Sequence, residues 1–142
     1  MTEVTEVRMT HKKRKKAGVV AYKYTASVQE PLVLIVSTRK VKDSWVFPVG
    51  GVDPGETPKI AAARECEEES GYSVKIGKKL APIDPRNELD LFTFFLASIS
   101  GEKETWETDR TREWVPLSQV KNKLPSFFHS VADAAANCLA EQ

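Results

Sequence analysis

The sequence predicts an α+β chain in which a mixed β-sheet lies between helices. Three observations carry this: apolar runs rich in Val, Ile, Leu and Tyr, one central helix with clear start and stop residues, and an amphipathic C-terminal stretch. Their order, strands then helix then strands then helix, suits an α+β or mixed-sheet architecture. With 142 residues, 41% hydrophobic and 29% charged, the chain has the size and composition of one globular domain that buries most of its apolar surface. We read residues 1–10 as a polar, disordered tail and 11–142 as a single domain.

"AGVVAYKY" (17–24) and "PLVLIVST" (31–38) read as strands, with "TASVQE" as a hairpin connection. "WVFPVGGVDPGETP" (45–58) holds three glycines and three prolines in fourteen residues, too much punctuation for regular structure. The helix spans 58–70: Thr57 supplies a side-chain cap, Pro58 takes the first helical position and Gly71 stops it. "YSVKIGKKL" (72–80) and "LFTFFLASI" (91–99) read as further strands, and "REWVPL" (112–117) as a short strand entering a turn. "SFFHSVADAAANCLAEQ" (126–142) reads as the C-terminal helix.

No apolar run approaches the roughly 18 to 20 residues of a membrane span, and "MTEVTEVRMTHKKRKK" has no signal-type apolar core. The chain therefore reads as soluble and cytoplasmic, with the nucleus open to it in a eukaryote. Cys66 and Cys138 lack metal-ligand spacing and read as free, buried thiols of a reducing compartment. The net charge is only +1, yet "HKKRKK" and a central Glu cluster are strongly charged locally.

That cluster, "RECEEESG" from Arg64 to Gly71, places Glu65, Glu67, Glu68 and Glu69 within one helix, where like charges repel. Glu65, Glu68 and Glu69 fall within one arc of about 100°, and Glu67 points away into solvent. Ala62, Ala63 and Cys66 form a small apolar side for packing on a sheet, which turns the acidic face outward. Cationic side chains within reach are few, essentially Arg64 and the i−4 neighbours, so the three carboxylates are matched to a hard divalent cation with oxygen ligands. Mg²⁺ keeps several waters and binds through a few carboxylates plus substrate phosphates.

The residues in front complete a longer pattern, G-x5-E-x7-R-E-x-x-E-E-x-G, here Gly50, Glu56, Arg64, Glu65, Glu68, Glu69 and Gly71. This resembles the signature of the Nudix hydrolases at every specified position. The resemblance implies an α/β/α sandwich and a loop-helix-loop box that binds Mg²⁺ or Mn²⁺ against a diphosphate. It implies Glu65, Glu68 and Glu69 as metal ligands with a backbone carbonyl near Gly50, and an orienting salt bridge between Arg64 and Glu56. Metal-activated water would attack a phosphoanhydride, with Glu68 or Glu69 as the base and Glu113 as a candidate from outside the box.

Within the family, "KKRKKAGVVAY", "STRKVKDSWVFPVGG", "RECEEESGY" and "REWV" look like the branch that hydrolyses diphosphoinositol polyphosphates and diadenosine polyphosphates. On that likeness Arg14, Lys16 and Arg39 would touch the outer phosphates, with Gly50 and Gly51 lining the diphosphate and Ser37, Thr38 and Arg86 in reserve. Two positions depart from the branch. Val49 replaces a Gly or Lys, and "DPRNELD" brings Glu88 and Asp90, whose repulsion shifts weight toward dinucleoside polyphosphates or smaller nucleotides. Trp106, Phe127 or Phe128 would then offer a base slot, against an ordinary role in the core; Trp45 and Trp114 are assigned to packing.

The implied partner is a small polyphosphate, with capped RNA the one nucleic acid in view, for a monomer or homodimer. The alternatives are a nucleotide pyrophosphatase (dNTP sanitising, coenzyme diphosphate or mRNA decapping) and a non-catalytic nucleotide-binding module of the same fold.

Overall fold

A computed structural model describes residues 14–39, 41, 43–80 and 90–141. The tail expected over 1–10 lies outside them, as do Arg86 and Glu88. Strand β1 (Arg14–Thr25) turns at Ala26 and Ser27 into the antiparallel β2 (Val28–Ser37), a tighter connection and longer strands than the sequence suggests. The punctuated stretch is not wholly irregular: Trp45–Val46 forms β3 beside the end of β2, and Val49–Gly51 forms β4 beside Lys16–Gly18. Each stays short because Pro48 and Pro54 offer no N–H to a ladder.

After helix α1 (Pro58–Ser70), β5 (Tyr72–Lys79) and β6 (Asp90–Glu102) pair antiparallel, and β7 (Arg112–Pro116) adds to β2. β6 runs parallel to β1 from Arg14 opposite Asp90 to Tyr22 opposite Ser98, which makes the sheet mixed, in the order β3-β2-β1-β6-β5. Two 3₁₀ turns (Leu117–Asn122 and Ser126–Phe128) precede helix α2, which begins at His129 and ends at Ala140.

Strand residues alternate between two cores, because successive side chains point to opposite faces. Val20, Val33, Ile35, Phe94 and Leu96 pack with Val131, Ala132, Ala135 and Leu139 of α2. Val19, Ala21, Leu34, Phe95 and Ala97 pack with Ala61, Ala62 and Cys66 of α1. The helices thus cover opposite faces, giving the α/β/α sandwich. Ala61, rather than Ala63, completes the buried small-residue side of α1, and Ala63 is half-buried. Phe127 and Phe128 join Phe92, Phe94 and Phe47 in an aromatic cluster of the first core, with Phe128 buried and Phe127 half-buried. Trp45 and Trp114 are half-buried against the two cores. Among the described residues no helix is long and apolar enough to cross a membrane.

Candidate active site

The loop from β4 into α1 is shaped by its own hydrogen bonds. Asp53 N–H donates to Glu56 Oε1 (2.9 Å), Glu56 N–H donates to Asp53 O (3.0 Å), and Thr57 Oγ1 accepts from Ile60 N–H (3.3 Å) at the helix start. At the other end Gly71 adopts φ 79° and its N–H closes on Glu67 O (2.8 Å), a left-handed stop that glycine adopts without strain.

Arg64 ties these parts together. Its Nε and Nη2 reach Glu56 Oε2 and Oε1 at 2.7 and 2.9 Å, Nη2 also donates to Gly51 O (3.0 Å), and Nη1 meets Glu68 Oε1 (3.0 Å) and Glu65 Oε2 (3.3 Å). The Arg64 guanidinium, helped by the Asp53 N–H, holds the Glu56 carboxyl down to about 2. Arg64 is itself raised, chiefly by the hydrogen bond to Glu56.

The three carboxylates differ in exposure. The Glu68 side chain is exposed, Glu65 is half-buried, and Glu69 is buried, turned toward β4, where its Oε1 accepts Val49 N–H (3.3 Å). The acidic face therefore does not point outward as a unit. Burial pushes the Glu69 carboxyl up; Arg110 Nη2, 3.9 Å from Oε2, opposes this, and the neighbouring Glu65 carboxylate adds to it. Gly50 has room for Glu65 because it lacks a side chain: a Cβ there would lie 2.1 Å from Glu65 Cδ.

A hard divalent cation fits this donor set, which is all carboxylate oxygen and includes the buried Glu69, whose charge is met only at 3.9 Å by Arg110 among the described residues. As the side chains stand, no three His, Cys, Asp or Glu groups among the described residues converge tightly enough to hold one. The reason is visible: Arg64 Nη1 draws Glu68 and Glu65 onto itself. Of the three carboxylates, Glu68 is the exposed one, with a side-chain exposure of 47%.

The segment between β6 and β7 supplies groups that the sequence reading missed. Glu67 is not simply solvated; it accepts from Lys103 Nζ and from Ser73 Oγ (3.0 Å), with Lys103 the main cause of its lowered pKa. Glu107 N–H donates to Glu68 O (3.0 Å), fastening the segment to α1. Arg110 donates to Ser37 O (2.9 Å) and Glu107 Oε1 (2.7 Å). Cations near the box are thus not confined to Arg64. Trp106 Nε1 donates to Arg110 O (3.1 Å), and its ring lies 3.9 Å beneath the Arg112 guanidinium. An open cleft of about 430 Å³ lies here, lined by Glu67, Glu68, Lys103, Thr105, Trp106 and Glu107. The density of charge in "GEKETWETDRTR" was the available signal.

The remaining sequence candidates divide. Lys16 sits on β1 opposite Gly51, beside the box loop. Arg14 Nε pairs with Asp90 Oδ1 (2.8 Å), so Asp90 neutralises a cation instead of simply adding repulsion. Arg39 is paired with Glu107 Oε1 and Asp109 Oδ2, both at 2.9 Å. Ser37 Oγ accepts Thr111 N–H (2.8 Å), tying the end of β2 to the segment before β7, and Thr38 Oγ1 donates to Val41 O (2.8 Å), a local tie. Glu113, on β7, accepts a hydrogen bond from Lys123 Nζ.

Solved structures share this fold. A C. elegans Ap4A hydrolase in a binary complex superposes with a TM-score of 0.73 at 20% identity, covering 89% of this chain and 99% of that one. The Nudix hydrolase RenU from M. smegmatis gives 0.70 at 18% identity, covering 92% and 88%. At these identities the likeness shows the fold. The NUDIX domain profile matches residues 13–134, and the chain belongs to the NUDIX domain family. Diphosphoinositol polyphosphate phosphohydrolase 2 of Rattus norvegicus is 34% identical over 105 residues, 71% of this chain and 57% of that protein. The 3-alpha form of Mus musculus is 33% identical over 109 residues, 73% of this chain and 65% of its own length. The chain spans less than two thirds of the length of these curated relatives.

Proposed function

We propose that this chain hydrolyses a phosphoanhydride bond in substrates carrying a linked diphosphate, with Mg²⁺ or Mn²⁺ held by Glu65, Glu68 and Glu69. The observation that carries this is Arg64, whose guanidinium spans Glu56, Gly51, Glu65 and Glu68 and so sets the loop against the helix. Such an orienting group keeps ligand carboxylates in place. Glu65 rests on Gly50, Glu69 is aimed by the Val49 N–H, and Glu68 is exposed and can turn between Arg64 and the site. A divalent cation held by Glu65, Glu68 and Glu69 would supply neutralisation of phosphoryl charge and a more acidic water. Glu68 or Glu69 would be the carboxylate that takes up a proton at this site.

For the substrate, the relatives support diphosphoinositol polyphosphates, and the pairing of Arg14 with Asp90 and of Arg39 with Glu107 and Asp109 favours the less charged diadenosine polyphosphates. The test is a panel with Mg²⁺: a diphosphoinositol polyphosphate, diadenosine penta- and tetraphosphate, capped RNA, dNTPs and dinucleotide coenzymes, products resolved by anion exchange. Turnover of the first two classes, lost in Glu69→Gln with the fold intact, supports the reading. No turnover of any member by the folded wild-type protein leaves the non-catalytic binding module in its place.

A further inference from the structure

One oxygen beside the box serves two guanidinium groups. Glu107 Oε1 lies 2.9 Å from Arg39 Nη2 and 2.7 Å from Arg110 Nε, while Asp109 Oδ2 takes Arg39 Nε at 2.9 Å. The Glu107 N–H to Glu68 O hydrogen bond and the 3.9 Å approach of Arg110 Nη2 to Glu69 place this bridge next to the catalytic carboxylates. We infer that Glu107, supported by Asp109, is a specificity-determining residue: it commits Arg39 and Arg110 to carboxylates and so limits how many phosphates the site accepts. The inference rests on the polyphosphate reading above for its consequence in turnover.

The argument is competition for the same donors. Arginine binds phosphate through paired N–H groups in a planar fork. Here Arg39 spends its fork on two carboxylates, and Arg110 spends Nε on Glu107 and Nη1 on Ser37 O. With Glu107 and Asp109 on these arginines and Glu69 3.9 Å from Arg110, carboxylates at least balance the two guanidinium charges, so an extra phosphate arriving at this end meets no net attraction and must displace an intramolecular partner. Arg39 is half exposed, with a side-chain exposure of 47%, so it is open to ligand; Arg110, at 14%, is fixed. Removing the Glu107 charge would release Arg39 Nη2 and Arg110 Nε from their shared oxygen, leaving Asp109 on one guanidinium and Glu69 at 3.9 Å from the other, and so free paired donors for a further phosphate.

The test is calorimetric binding of inorganic tripolyphosphate and of pyrophosphate to the full chain in EDTA, which needs neither metal nor turnover. Glu107→Gln should tighten tripolyphosphate about tenfold by removing one charge-assisted competitor, with a smaller gain for pyrophosphate. Adding Arg39→Ala should abolish the gain. Asp109→Asn removes the carboxylate on Arg39 Nε and should shift binding in the same direction by about threefold, which keeps the idea testable if Glu107→Gln melts early. Unchanged or weaker tripolyphosphate binding in folded variants would mean that Glu107 organises the arginines for a ligand, and overturns the inference. If the wild-type chain turns over no diphosphate, the function proposed above fails, yet the calorimetric result still decides this one. With turnover present, Glu107→Gln should raise kcat/KM for diadenosine pentaphosphate relative to the tetraphosphate.

Discussion

The Glu65 carboxylate rests directly on the backbone of Gly50: a Cβ at that position would lie 2.1 Å from Glu65 Cδ and 2.3 Å from Oε2. A side chain there does not meet backbone; it meets the far end of a flexible side chain, which can move. Gly50→Ala should therefore leave the unfolding free energy within about 1 kcal/mol of wild type while displacing a ligand carboxylate. Mg²⁺ affinity, read from the metal dependence of turnover, should weaken by about 10- to 100-fold. Normal metal affinity in Gly50→Ala would remove Glu65 from the proposed ligand set.

The Glu56 and Arg64 pair makes a pH prediction. The Glu56 carboxyl is lowered from 4.5 to about 2, first by its hydrogen bonds with Arg64. A depressed carboxyl stabilises the fold in its ionised form, fully above its unfolded pKa and decreasingly as pH falls through the folded one. Urea midpoints of wild type and Glu56→Gln should differ most at neutral pH and converge as pH drops from 4.5 toward 2. A gap independent of pH over that window would show that the carboxylate charge is not what Arg64 reads.

Glu69 has the opposite sign. Burial raises its carboxyl, so without metal its ionisation costs stability, and that cost grows as pH climbs above the ordinary carboxylate range. In EDTA, Glu69→Gln should melt at or above the wild-type temperature at pH 8, with the gap closing near pH 5. Mg²⁺ should raise the wild-type melting temperature through linkage and leave Glu69→Gln nearly unmoved. Turnover in that variant should fall by about 10²- to 10⁴-fold. Equal stabilisation of both proteins by Mg²⁺ would place the ion elsewhere.

Arg112 fastens the far end of the box helix. Its Nη1 donates to Ser70 O at 2.7 Å, Nη2 to Glu102 at 2.7 Å, and the guanidinium lies 4.4 Å from the Tyr72 ring and 3.9 Å from the Trp106 ring. Arg112→Ala should cost about 2 to 4 kcal/mol in urea unfolding, the sum of a charge-assisted hydrogen bond and partly desolvated cation–π contacts. Arg112→Lys should recover less than half, since an ammonium cannot stack between rings and bond both ends. Full recovery by lysine would reduce the role of Arg112 to a point charge.

The two cysteines should react very differently. Cys66 is buried under α1, and burial pushes its thiol up to about 12, whereas Cys138 is half-buried on α2. A thiol-specific chromogenic disulfide at pH 8 should modify one sulfhydryl per folded chain, Cys138, and the second only with global unfolding. Rapid modification of two would contradict the packing of Cys66 against the sheet.

Much of this molecule was legible locally. The bounds of α1 follow from Thr57, Pro58 and Gly71 because capping is chemistry between residues a few positions apart. The Glu56 to Arg64 pairing and the grouping of Glu65, Glu68 and Glu69 followed from one motif and one helical period. The strands were visible as apolar runs, and their assignment to two cores follows from alternation. What the chain could not reveal by itself was which groups arrive from far away. β3 and β4 exist only because β2 and β1 offer them hydrogen bonds, so local composition read them as loop.

Likewise, nothing near Glu67 or Glu69 in sequence announces Lys103 or Arg110, and nothing near Arg39 announces Glu107 and Asp109. Those pairings are made by the sheet, which sets the β6–β7 segment against the end of β2 and against α1. Burial is collective too: Glu69 is one of three carboxylates on an arc, and only the closeness of β4 separates it from the exposed Glu68. The sequence alone determined the family's box and the elements that carry it, since those depend on short-range geometry. The tertiary structure decided which charges are already answered, because electrostatic partners are chosen by distance in space and not along the chain.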